Sequence, residues 1–388
     1  MKRYSIYKYL LGFLGFLSLG LASCSIDNLK GDVVNPDTDE TTMLVLRVNP
    51  LNSIGTRAGS EAEKIQNVRI VILNAFGSVE INEFRSLGDA KAFESNQIIE
   101  TFYFQITPGR KKIYLLANEE SVININETQE SLKSSLEKYK PGSNNFESFI
   151  NTVYFSPKYS TGLLPYSSYY ECELIKGIDN TQTFFIVPIA TKFTFNFVNE
   201  REEDVVVNDI SISSIASENY VFGNVNQTDY NKTFNGQSYY WVDWLREVSE
   251  ASWNAEPEKD NIPFNGQYGW IKDYNLPKEN NHNIKSLLAG PVTIDRNHKL
   301  AGTAKNPDLG PFYLPESKYV LNNNQVYKFS ISVDDNQTFN DINLDNLQAL
   351  FRNTHVNITI TMNKLLDIEI SYTVCPWDIK TINIPSFQ

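Results

Sequence analysis

A chain of 388 residues with 41% apolar and 13% aromatic content can bury sizeable cores, and its length favours two domains over one. Its formal charge of −12 argues against nucleic acid and anionic membrane surfaces as partners, because both are bound mainly through clustered Lys and Arg. Three cysteines are too few for a disulfide framework.

Chain order begins with a leader. Lys2, Arg3 and Lys8 form a positive segment, residues 9–21 an apolar one, and Leu21-Ala22-Ser23-Cys24 has the small-residue spacing at which a leader is cut before a cysteine to be lipidated. The apolar run is short for a membrane span and is followed by polar Ser25-Ile26-Asp27-Asn28. Cleavage after residue 23 takes the formal charge from −12 to −15 and makes lipidated Cys24 the first residue. Beyond it only Cys172 and Cys375 remain, and the sequence leaves open whether they pair. Residues 25–42, rich in Asp, Asn and Thr, have the composition of a flexible tether.

Folding is expected to start at Met43, where Met43, Leu44, Val45, Leu46 and Val48 make a β-type run. Pro50, Asn52, Ser53, Gly55 and Gly59 then break the pattern around Thr56-Arg57-Ala58, which predicts an accessible loop. Further strands are predicted at 68–73, 98–106 and 112–118, and helices at 128–139 and 146–153. Strand character resumes at 184–189, and Phe193, Phe195 and Phe197 alternate strictly with polar neighbours. The domain boundary is set near residue 188. Strands follow around 209–213, 326–333, 356–362 and 365–374, with a decorated stretch rich in Asn, Asp, Gly and aromatics at 227–309 between them.

Enzyme constellations mostly fail. His282, His298 and His355 form no HExxH pair or Cys/His cluster. Ser135-Leu136-Glu137-Lys138 matches SxxK, but it is expected on the polar side of the predicted helix and lacks companion motifs. Asp341, Asn343 and Asp345 imitate the start of a calcium loop, yet Asn346 and Arg352 stand where Gly and Glu are needed. The reading is therefore mainly β, with no catalytic residues, metal or cofactor.

The order of motifs is informative. A lipidation signal, a strand, Thr56-Arg57-Ala58, the run 64–72, Thr107-Pro108-Gly109-Arg110 leading into 111–118, and Val374-Cys375-Pro376-Trp377 together resemble the fimbrillins. These are the major and accessory pilins of the lipoprotein-derived type V pili of Bacteroidales. Cys375 departs from the pattern, since that position is not usually a thiol. The resemblance implies two tandem β-sandwich domains of transthyretin-like, Greek-key type with a few short helices, at residues 58–187 and 188–374. Around them stand the leader 1–23, a tether and removable N-terminal strand within 24–57, and a donor-strand tail at 375–388.

The implied function is a structural pilus subunit supporting adhesion. Its precursor is an outer-membrane lipoprotein, touching the membrane only through the lipid, and its mature form lies in extracellular fimbriae. An Arg-specific surface protease cuts between Arg57 and Ala58 and removes Met43, Leu44, Val45, Leu46 and Val48 with the leader fragment. Ile379, Ile382, Ile384 and Phe387 of another subunit then fill the vacated slot by strand addition. Other pilin subunits, that protease and a host or bacterial surface receptor are the implied partners. A tip or anchor subunit is the nearest alternative, since an anchor keeps its N-terminal strand and a tip lacks a donor tail. A surface glycan-binding lipoprotein with Tyr and Trp platforms is the alternative from another class, and an outer-surface enzyme the third.

Overall fold

The computed structural model describes residues 41–50, 61–93, 97–126, 128–155, 162–222, 233–234, 237–238, 282–284, 287–288, 290–301, 310–318, 327–334, 337–344, 349–350, 352–364 and 368–376. Strands dominate. In the first half they are β1 (Thr42–Pro50), β2 (Ile65–Leu73), β3 (Val79–Lys91), β4 (Glu100–Ile106), β5 (Gly109–Ala117), β6 (Tyr154–Phe155), β7 (Tyr166–Leu174) and β8 (Asn180–Pro188). The second half has β9 (Thr191–Asn199), β10 (Val205–Ile215), β11 (Asn219–Tyr220), β12 (Thr233–Phe234), β13 (Gln237–Ser238), β14 (His282–Ile284), β15 (Val292–Ile294) and β16 (Lys299–Ala301). It continues with β17 (Phe312–Leu314), β18 (Ser317–Lys318), β19 (Lys328–Val333), β20 (Gln337–Asn343), β21 (Ala349–Leu350), β22 (Thr354–Met362) and β23 (Ile368–Pro376).

The first sandwich has strand order β3-β2-β5-β7-β8-β1-β4. This array folds over at β7 and β8, which pair only at Tyr166–Pro188 and Ser167–Val187. One core lies between the two layers and gathers Leu44, Leu46 and Val48 of β1, Ile70 and Ile72 of β2, Phe102 and Phe104 of β4, Ile113 and Leu115 of β5, and Ile186 of β8. The rim between edge strands β3 and β4 is bridged by Arg85, whose guanidinium lies 4.4 Å from the Phe102 ring centroid and donates to Thr101 O at 3.3 Å. An unpaired edge invites pairing with other chains, and a charged side chain laid across it opposes that.

β2 and β5 are apolar on both faces for a reason. Val71, Leu73, Tyr114 and Leu116 point away from the first core into a second cluster, which they share with Leu132, Leu136, Phe146 and Ile150 of the helical layer. The helices are shorter than the apolar spacing predicts: α1 spans Leu132–Leu136 and α2 spans Phe146–Ile150. Upstream of α1, Asn124, Asn126 and Gln129 take positive φ, and Ile125 bridges Glu130, so the chain turns where 3.6-residue periodicity alone would continue a helix. Ser131 then caps α1, its hydroxyl accepting from Ser134 N at 3.1 Å. Ser135 is not on a solvated face. It is 2% exposed and its hydroxyl donates to Glu130 at 2.8 Å, while Lys138 pairs with the same carboxylate.

The second sandwich stacks β14-β10-β19-β20, with β15 also on β10, against β16-β9-β22-β23, with β17 also on β9. Phe193, Phe195 and Phe197 of β9 enter its core with Ile210, Ile212, Phe329, Ile331, Ile358 and Ile360. Its first strand repeats the placement of β1. β9 runs parallel to β22 on one side and antiparallel to β16 and β17 on the other, much as β1 runs parallel to β8 and antiparallel to β4. Asp341 lies in β20 with its side chain 67% exposed, so its segment is an edge strand rather than a calcium loop.

The sandwiches interlock. β11 pairs with β6 of the first half, and Val221 and Phe222 enter the helical-layer cluster, where the Phe222 ring stands edge-on to Tyr114 at 5.1 Å.

Candidate assembly site

β1 occupies the middle of its layer. It pairs antiparallel with β4 from Thr42–Ile106 to Val48–Glu100, and parallel with β8 from Leu44–Asn180 to Pro50–Ile186. Alternation divides its side chains. Leu44, Leu46 and Val48 are fully buried, Met43 and Val45 are half-buried, and Arg47 faces solvent. Burying three such side chains contributes roughly 5–9 kcal/mol at the usual 1.5–3 kcal/mol each.

Both ends of the strand are tied to the body. At the start, the Thr42 hydroxyl lies 2.9 Å from Ile178 O and 3.2 Å from Ile175 O, and Asn180 Nδ2 donates to it at 3.2 Å. Near the end, Ile99 N donates to Val48 O at 2.8 Å. Past residues 51–60 the chain is held again at a 3-10 turn, Glu61–Glu63. The Glu63 carboxylate accepts from Lys192 Nζ at 2.6 Å and from the Tyr313 hydroxyl at 2.8 Å, both on the second sandwich. Its carbonyl accepts from the Tyr166 hydroxyl at 2.8 Å, and Leu164 N donates to Ala62 O at 2.7 Å.

Met43, Leu44, Val45, Leu46 and Val48 therefore lie together in one central strand. Cys24, Arg57, Ala58, Ile379, Ile382, Ile384 and Phe387 lie outside the described residues, as do all five tryptophans, though not all of the tyrosines, of the Tyr and Trp platforms considered for glycan binding. Cys375 and Pro376, assigned on sequence to the tail, are instead the last residues of β23, paired with His355 and Thr354. Among the described residues β23 is an edge strand, the position in a sheet where proline is tolerated. Cys172 is buried in the first core. Among the described residues no group of His, Cys, Asp and Glu is arranged to hold a metal ion, and no helix is long and apolar enough to cross a membrane.

Sequence reasoning did not find the Thr42–Asn180 pair or the Glu63 clamp. Gly177 and Asn180, bounding Ile178-Asp179, could have marked a structured turn, but Glu63 reads as an ordinary surface acid, since Lys192 and Tyr313 are 129 and 250 positions away.

The family of the major fimbrial subunit protein (FimA) matches residues 43–183. This match begins within β1 and ends within β8, the strand beside it. The chain resembles the fimbrillins. That resemblance is carried by the first sandwich, which contains the central N-terminal strand. A solved structure of similar fold is a putative cell adhesion protein from Parabacteroides distasonis, with 12% identity and a TM-score of 0.50 over 87% of this chain and 98% of that one. The tip fimbrial protein Mfa3 from Porphyromonas gingivalis, solved with a C-terminal truncation, has 12% identity and a TM-score of 0.47 over 87% of this chain and 100% of that one. Comparison with curated proteins gives no match. The fold is mainly β and sandwich-like, and the match of residues 43–183 to a fimbrial subunit family supports a fimbrial role.

Proposed function

We propose that this protein is a structural pilus subunit, exported as a lipoprotein on Cys24, matured by Arg-specific cleavage after Arg57 and polymerised by strand addition. The observation that carries the proposal is the position of β1. It is paired on both edges and supplies three fully buried side chains, yet the chain leads from it to the rest of the body only through residues 51–60. A cut there would free β1 from the body without severing any other strand. The vacated slot would carry two unpaired backbone edges and an open apolar groove, both costly in water.

A strand from a neighbour satisfies both needs by β-augmentation. Ile379, Ile382, Ile384 and Phe387 supply apolar side chains beyond β23. Contact between the tail of one subunit and the slot of the next is heterologous and does not close, so it builds a filament. The role is structural, adhesion belonging to the assembled fibre and its surface receptor rather than to a catalytic centre.

Electron microscopy of material sheared from the cell surface tests this. Deleting residues 378–388 is expected to yield a folded, processed monomer, and Ile382→Asp or Ile384→Asp to weaken assembly more than Asn383→Asp. Polymers of normal length from the truncated protein would overturn donor-strand assembly.

A further inference from the structure

Among the described residues the large apolar side chains most open to solvent are Phe76, Ile98, Tyr103, Ile123, Ile175 and Ile178. Isolated exposed apolar residues are ordinary, so position decides whether they mean anything. Ile175 and Ile178 sit in the β7–β8 turn, 57% and 52% exposed. Phe76, 65% exposed, is in the β2–β3 turn at the same end of the sandwich, since Leu73 pairs with Lys112 and Gly109 with Leu174. This pole is where β1 begins, the Thr42 hydroxyl lying within 3.2 Å of the carbonyls of both isoleucines.

We infer that the Ile175–Ile178 turn is the docking surface for the second sandwich of another copy of this chain. The inference rests on the donor-strand reading and adds the body-to-body contact that the reading leaves open. One fact chooses the pole. The opposite end of the slot, at Pro50, stands beside Ile186, close to where β8 leads into β9 and this subunit's own second sandwich, so a neighbour's body would have to share that end with it. The incoming strand must then enter at Thr42 and run as β1 does, parallel to β8 and antiparallel to β4.

Length chooses the contact. With Ile382 and Ile384 in the places of Leu44 and Leu46, Lys380 stands at Thr42. Only residues 377–379 are left to bridge from the end of the neighbour's β23 at Pro376. Four backbone steps reach roughly 14 Å at full extension. The neighbour's second sandwich is thereby held against the pole, where it covers Ile175 and Ile178 and removes their side chains from water.

The test uses the processed protein with its tail intact and the double variant Ile175→Asp/Ile178→Asp, with a synthetic peptide of residues 378–388 as a separate probe of the slot. The expected result is a fall of tenfold or more in sedimentable polymer, with wild-type affinity for the peptide and an unchanged thermal midpoint. A variant that polymerises like wild type overturns the docking surface and leaves the donor strand standing. Loss of peptide binding also overturns it, because the turn would then be shaping the slot through its carbonyls. The pair Ile175→Ser/Ile178→Ser gives the same readout if the aspartates prevent folding. A wild-type protein that neither polymerises nor binds the peptide overturns the donor-strand reading itself.

Discussion

Arg352 Nη1 donates a 3.0 Å hydrogen bond to Ser167 Oγ, 185 positions earlier in the chain, and so joins the second sandwich to β7 of the first. The same guanidinium donates to Val221 O at 3.1 Å, Tyr220 O at 2.8 Å and Glu316 Oε2 at 2.8 Å, with both ionic side chains almost wholly buried. Asn219 extends the network, its Oδ1 accepting from Glu316 N at 2.7 Å and its Nδ2 donating to Ile189 O at 3.0 Å. The two sandwiches are thus fastened by a polar junction in which each buried charge has its partner.

Arg352→Met is expected to destabilise the protein by about 3–5 kcal/mol, because it strands the Glu316 carboxylate in a dry site. Adding Glu316→Leu is expected to restore most of that loss, since removing both charges also removes the desolvation cost. Denaturant midpoints of the single and double variants check the prediction.

Arg57→Ala is expected to leave a lipidated precursor with β1 still in place. N-terminal sequencing of surface material decides it, the wild-type mature chain starting at Ala58. Any other start disproves the assignment of Arg57. Cys24→Ser is expected to abolish acylation and move the precursor out of the membrane fraction, as followed by metabolic labelling with a fatty-acid analogue.

Leu46→Ala separates the two states of the slot. In the unprocessed protein Leu46 is fully buried, and its loss is expected to cost about 2–5 kcal/mol. If cleavage after Arg57 removes β1, as proposed, the position is absent from the polymer, so polymer stability should be unchanged. Thermal melts of precursor and polymer read both outcomes.

Acid is expected to weaken the second sandwich through His355. Its Nε2 lies 2.8 Å from Thr194 Oγ1, and burial first, then the Lys192 ammonium, pushes its pKa from 6.5 down to about 3. The unfolded chain therefore binds a proton that the folded chain refuses. The stability tied to this residue is complete above pH 6.5 and is lost as pH falls towards 3, at up to about 1.4 kcal/mol per pH unit. His355→Gln should flatten the pH dependence of the unfolding midpoint between pH 6.5 and 4. An unchanged slope would assign the acid sensitivity to other groups.

Strand identity was legible in the sequence wherever one face is buried and the other is not. Leu44, Leu46 and Val48, like Phe193, Phe195 and Phe197, alternate because successive side chains in a strand point to opposite faces, and that period is a local property. Helix extent was less legible. Leu132 and Leu136 have helical spacing, but the positive φ of Asn124, Asn126 and Gln129 and the Ile125–Glu130 bridge depend on packing against β2 and β5, so only a short helix forms.

Residues 43–48 announced a strand but not its neighbours: which strands flank β1, and in which direction, was decided by residues 100–106 and 180–186, far along the chain. The partners of Glu63 and Arg352 are hidden for the same reason. A charged side chain carries no local mark of burial, and only the meeting of two sandwiches removes these from water and supplies the opposite charge. Composition and period thus determined that the chain builds β-layers, whereas the central placement of β1, and with it the candidate assembly slot, arose from contacts between segments that the sequence keeps far apart.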